Sequence, residues 1–183
     1  MDTSKDVINK NETVDVADAC SEFAVRMNHF IDFMVELNGQ EVFPVIPADW
    51  FKEFKSCVNS VAPSSPIVIF RFVFQCLLMR ASNGARCVTV SQLQGCLADI
   101  IDLVVRKNRD YGNSAFNIPA LVPWLPQSAA ILVRLSDKIS RVKNLWGKES
   151  ATLDSPMGVP SETLFDTLSD MVGYLMLLWA VGR

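Results

Sequence analysis

Hydrophobic positions recur along this chain at steps of three and four, and that spacing predicts helices over most of its length. Between Asp15 and Leu37 they fall at Cys20, Phe23, Ala24, Met27, Phe30, Ile31, Met34 and Leu37, one face of an amphipathic helix that Asn38-Gly39 ends. Residues 40–48 carry Pro44 and Pro47 and read as a loop. Trp50–Val58 reads as a short helix with Asp49 as its N-cap. Pro63 and Pro66 bracket a turn. Ile67–Ala81 is apolar on nearly every side and reads as a buried helix. Its start, IVIFRFVF, has a strand-like composition, but the continuation into QCLLMRA favours helix by length. Asn83-Gly84 is a stop, and Cys87–Val90 reads as a short extended piece.

Three helices are expected in the C-terminal half. Ser91–Arg109 is the first, with Ser91 as N-cap, and Gln127–Trp146 is the second. The third is capped by Ser161 and runs to about Val181. Loops with Gly112, Pro119, Pro123 and Pro126, then Gly147, Pro156, Gly158 and Pro160, separate them. There is no internal repeat and no confident strand pairing. The expected architecture is all-α, a helical bundle. Residues 1–13 are polar and predict a disordered or frayed start. Residues 14–90 form a helical N-terminal region of unassigned role, packed as one domain with 91–183.

Composition sharpens this picture in three ways. The 183 residues are 50% apolar with a net charge of -3, and a mean hydropathy of +0.23 implies a large core or apolar surface covered by other copies. The lone histidine, His29, lies among Met27, Phe30 and Phe33 and reads as a packed or surface residue. A multi-His zinc site is thereby excluded, and any metal chemistry must lean on carboxylates, which select Mg, Mn or Ca. The five cysteines include no CxxC, which fits reduced thiols in a cytoplasmic protein. The polar N-terminus does not read as a signal peptide. Ile67–Met79 contains Arg71 and Gln75 and is too short for a bilayer span. A mildly acidic chain without a basic run is a poor partner for duplex nucleic acid.

Candidate chemistry sits on three C-terminal segments. On the last helix Glu162, Asp166 and Asp170 stand at steps of four and share a face, beside an apolar run. Two carboxylates about 6 Å apart repel by roughly 3 kcal/mol at an effective dielectric near 20. A divalent cation, a basic partner on a neighbouring helix, or a raised pKa would each offset that. On the second helix Leu132, Leu135, Ile139, Val142 and Trp146 form an apolar seam, while Arg134, Asp137, Lys138 and Arg141 form a second stripe. That stripe reads either as a solvated face with local pairs such as Asp137–Arg141, or as a phosphate-facing surface. The turn KNRDYGNS reads either as a helix stop or as a substrate loop. In the latter, Lys107 meets phosphate, Tyr111 stacks on a base, and Asn113 or Ser114 hydrogen-bonds sugar or base. Asp99 and Asp102 are a further helical acid pair. Trp50, Trp146 and Trp179 read as core anchors, with Trp124 as a candidate base cover.

In this order, KNRDYGNS, RLSDKISRVKNL and ETLFDTLSDMVGYLMLL resemble the phage-associated nucleotide modification associated domain 1 family, over about residues 91–181. That family is similar to the MazG-like all-α NTP pyrophosphatases. The resemblance implies a MazG-like bundle, here with an N-terminal helical extension, that binds a nucleotide through Mg²⁺ (or Mn²⁺). It implies metal ligands among Asp137, Glu162, Asp166 and Asp170, with Asp137, Asp166 and Asp170 catalytic. Lys107, Asp110, Tyr111, Asn113, Ser114, Arg134, Lys138 and Arg141 would bind substrate. It also implies a homo-oligomer, dimer or tetramer, in the host cytoplasm if phage-encoded, acting as a (d)NTP pyrophosphohydrolase in phage nucleotide metabolism or base modification. MazG-like enzymes carry ExxE and ExxD on successive helices, whereas the second helix here offers only Asp137. The alternative expectation is therefore a non-catalytic protein that sequesters a nucleotide immune signal or delivers a modified nucleotide.

Overall fold

The computed structural model describes residues 15–60, 65–110, 123–150 and 162–182. Among the described residues the chain forms six helices: α1 (Val16–Asn38), α2 (Pro47–Ser60), α3 (Pro66–Ser82), α4 (Val90–Asp110), α5 (Gln127–Ser150) and α6 (Glu162–Val181). Two short strands, β1 (Val42–Pro44) and β2 (Cys87–Thr89), complete an otherwise all-α architecture. The expected disordered start and the Ser161 cap lie outside the described residues.

Helix ends follow local chemistry. The Asp15 side chain accepts the Ala17 N–H at 2.7 Å and caps α1, whose last turn closes on Gly39 at φ 63°. Asn83 at φ 44° and Gly84 at φ 84° end α3 in left-handed conformations.

Four expectations are corrected. Helix α2 begins at Pro47, a residue with no N–H to lose in a first turn, so Asp49 lies inside the helix and is not its cap. Helix α4 begins at Val90, so Ser91 is not its cap either. Thr89 and Gln92 form a reciprocal capping box instead: the Thr89 N–H donates to Gln92 Oε1 at 2.8 Å, and the Gln92 N–H donates to Thr89 Oγ1 at 3.2 Å. Helix α5 runs on to Ser150, past Trp146. The loop expected at 40–48 contains β1, which pairs antiparallel with β2 in the register Val42–Thr89, Phe43–Val88 and Pro44–Cys87. Phe43 and Val88, buried on one face of this ribbon, supply the side-chain contact that the flanking prolines obscured.

Helix α6 is the centre of the bundle. It packs on α5, α3, α1 and α4, while α2 packs on α3 and α4 also packs on α1. From Met171 to Ala180 every side chain except Tyr174 is buried. The 18-residue stretch Leu164–Val181 is long and apolar enough to cross a bilayer, a more extensive run than Ile67–Met79, yet 78% of it is buried against the other helices.

Trp50, Trp146 and Trp179 are all buried. The Trp50 and Trp146 rings lie 5.0 Å apart, and Trp50 Nε1 donates to the Gln75 carbonyl at 2.7 Å. Trp124 is exposed.

All five cysteines are free. Burial pushes the thiols of Cys20, Cys57 and Cys96 up to about 11 and raises that of Cys76 as well, whereas Cys87 is exposed on β2. A disulfide-exchange reagent at pH 8 is therefore expected to modify Cys87 alone in the native chain, and the other four only after unfolding. Rapid labelling of two or more native thiols would contradict this. Gly95 is exposed within α4, and a methyl group added there would meet open space. Gly95→Ala is expected to stabilise the fold by about 0.5–1 kcal/mol in urea unfolding, from helix propensity alone.

Candidate functional site

Asp170 stands where α6 passes into its apolar second half, and two other helices answer it with cations. Its Oδ1 accepts from Lys107 Nζ of α4 at 2.8 Å, and its Oδ2 accepts from Lys138 Nζ of α5 at 2.7 Å. Of the three remedies for repulsion between Asp166 and Asp170, the structure uses the basic partner, twice over. Partial burial pushes the Asp170 carboxyl up, but the two ammonium groups outweigh it and hold the carboxyl below its ordinary value.

Backbone approach makes this bridge possible. A Cβ at Gly173 would stand 3.0 Å from Val104 Cγ2, so α4 and α6 nearly touch there. One turn further along α4 is Lys107, and one turn back along α6 is Asp170. The small residue at 173 thus lets the lysine reach the carboxylate.

The bridge forms one wall of a cleft of about 280 Å³ between α4, α5 and α6. Lys107, Asn108, Arg134, Ser169 and Asp170 make its polar end. Leu103, Val104, Leu177 and the ring of Tyr174 make its apolar end. Ser169 is buried, donates to the Phe165 carbonyl at 3.0 Å, and receives Arg80 Nε at 3.4 Å. Arg80 in turn lies 5.4 Å from the Phe165 ring centroid. Arg134 makes no ion pair or hydrogen bond among the described residues.

The candidate residues therefore separate. Lys107, Arg134, Lys138 and Asp170 are brought together. Asp137, Arg141 and Asp166 are exposed on their helices, and the local pair Asp137–Arg141 does not form. Asp99 and Asp102 are exposed on α4, and His29 is exposed on α1. Asp110 is exposed at the end of α4. Tyr111, Asn113 and Ser114 lie outside the described residues, as does the side chain of Glu162.

Mg²⁺ does not fit at Asp170 in this arrangement. Both carboxylate oxygens already accept from ammonium groups, and a divalent ion there would meet two positive charges at close range. Among the described residues no three His, Cys, Asp or Glu side chains converge as ion ligands.

Sequence reasoning did not find Asn108, Ser169, Gly173, Tyr174 or Leu177. The last two continue the face of Asp170 at helical spacing, a signal hidden because almost every neighbouring residue is also apolar. Neither a family model, a curated protein nor a solved structure matches the chain.

Asp170→Asn is expected to cost about 1–2 kcal/mol in urea unfolding at pH 7, because both of its partners are partly solvated. The carboxyl is more acidic in the folded chain than in the unfolded one. Its contribution is therefore fully present above the unfolded pKa, near 3.9, and is lost as pH falls through the lower folded value. The gap between native chain and variant should close over that acidic window and stay constant from pH 6 to 8.

Proposed function

We propose that the chain is a nucleotide-binding protein whose phosphate subsite is the cationic end of the α4–α5–α6 cleft. The observation that carries this reading is the convergence of Lys107 and Arg134, the latter unpaired among the described residues, with Lys138 bridged to the neighbouring Asp170, beside an apolar end lined by Leu103, Val104, Leu177 and Tyr174. A nucleotide has the same division, a flat apolar base joined to an anionic phosphate chain. Asp170 holds the two ammonium groups in place while the site is empty, which lowers the ordering cost of binding an anion. Arg134 offers a planar fork suited to phosphate oxygens. The resemblance of the three C-terminal segments to nucleotide-handling proteins supports the same assignment.

Pyrophosphohydrolysis with Mg²⁺ or Mn²⁺ is the second reading. It is favoured by Asp137 and Asp166, which are exposed and unpaired among the described residues. Such a cation would neutralise phosphate charge. Binding is the better-supported reading, because Asp170 is engaged by lysines.

Calorimetry with nucleoside triphosphates and their deoxy forms tests the proposal. Binding is expected in EDTA as well as in Mg²⁺, and Lys107→Ala and Arg134→Ala should each weaken it roughly ten- to a hundredfold. Asp170→Asn should weaken metal-free binding, because the two lysines lose the carboxylate that positions them. Failure of every nucleotide to bind would overturn the proposal. Release of monophosphate and pyrophosphate, lost on Asp137→Asn or Asp166→Asn, would establish the hydrolytic reading instead.

A further inference from the structure

The cleft between α4, α5 and α6 has a direction, and its charge changes sign along it. Leu177, Tyr174, Gly173 and Asp170 line it in turn as α6 is followed back toward its start. Helix α4 runs the opposite way beside them: the Val104 side chain packs on Gly173, and Lys107 bonds Asp170 at 2.8 Å. One further turn, about 5.4 Å on, reaches Asp110 on α4 and, within a residue of the same level, Asp166 on α6. Both are exposed, and neither lines the cleft.

The charges therefore come in two bands. Among the described residues, Lys107, Arg134 and Lys138, with Asp170 held between the two lysines, leave the polar end a net charge of +2. Beyond it α4 and α6 add Asp110 and Asp166, while the exposed Asp137 and Arg141 of α5 offset each other. Arg109 stands about 200° around α4 from Lys107, on the far side of that helix.

A cationic band one turn deep, followed by an acidic rim, suits a single phosphate. A phosphomonoester carries about -1.5 to -2 at pH 7, which the cationic band balances. Each further phosphate adds negative charge and must pass the rim, where the carboxylates repel it. The size of the cleft agrees. At about 280 Å³ it lies just under the usual range of small-molecule pockets, about 300–1,000 Å³.

We infer that the cleft selects nucleoside monophosphates over di- and triphosphates, with Asp110 and Asp166 limiting the length of the phosphate chain. This rests on the nucleotide reading of the cleft and adds to it the class of nucleotide. Lys107 and Arg134 hold the phosphate that every nucleotide has, and the rim carboxylates act only on phosphates beyond it. The longer nucleotides still bind through that first phosphate, but more weakly.

Calorimetry with the nucleoside, mono-, di- and triphosphate of each common base, ribo and deoxy, is the test. EDTA prevents metal-assisted turnover, so the readout is binding alone. Salt at about 0.15 M screens attraction and repulsion beyond about 8 Å. The monophosphate is expected to bind tightest, and the triphosphate about tenfold or more weaker. The diphosphate should fall between them, and the nucleoside should bind more weakly than its monophosphate. Asp110→Asn combined with Asp166→Asn should narrow the ratio of triphosphate to monophosphate dissociation constants at least about threefold, with an unchanged helical circular dichroism spectrum. Asp166→Lys should bring the triphosphate level with the monophosphate or below it in dissociation constant. A native chain that binds the triphosphate as tightly as the monophosphate overturns the inference and leaves the nucleotide reading standing. So does a ratio that neither rim variant moves. Failure of every compound to bind overturns the nucleotide reading and this inference with it.

Discussion

The structure depends on the burial of α6. A helix whose side chains are apolar nearly all round has no face to give to water, and each buried Leu, Met, Val or Trp contributes about 1.5–3 kcal/mol. Four other helices must surround it. Helices α3 and α5 cover the longest stretches, α1 and α4 close the remaining sides, and α2 packs outside α3. The region before residue 90 is not an appendage to the C-terminal helices, because it supplies two of the walls without which α6 would lie open.

That constraint also explains the site. A carboxylate on such a helix can survive only where the wrapping helices leave a seam, and Asp170 lies on the seam between α4 and α5. Each of those helices sends one lysine across it. The result is a small polar network at the edge of a large apolar core, held by geometry that the Gly173–Val104 approach sets. Cleft, charge bridge and close approach are one arrangement seen from three sides.

Much of this was legible in the sequence. Helical spacing pointed to all six helices, because steps of three and four are unambiguous over lengths like that of α1. Helix starts were less legible: Asp49 and Ser91 are good capping residues, but α2 already starts at Pro47, and Thr89 caps α4 with Gln92 as its reciprocal partner. The β1–β2 ribbon was hidden because its pairing joins segments far apart in the chain, and strands of three residues carry almost no periodic signal. In the site, the acids and bases were legible as stripes, and a basic partner for Asp170 was among the alternatives. Which lysines would reach it was not, since that depends on how α4 and α5 lie against α6. Asp137 and Asp166 have the same local sequence signature as Asp170, and only packing distinguishes the exposed pair from the bridged one.

The aromatic contact at the far end of α5 has a consequence for the cleft. Trp146 is gripped there by Trp50 and Phe51, whose rings both lie 5.0 Å from its own. Arg134 and Lys138 stand eight to twelve residues earlier on the same rigid rod, about 12–18 Å away. Between the two ends Leu135, Ile139 and Val142 are buried, so the rod is held along its flank as well as at its foot. The packing that covers α6 therefore also fixes where the cations of the cleft stand. The emission of the two packed tryptophans would report any loosening of that rod from outside the lining of the cleft.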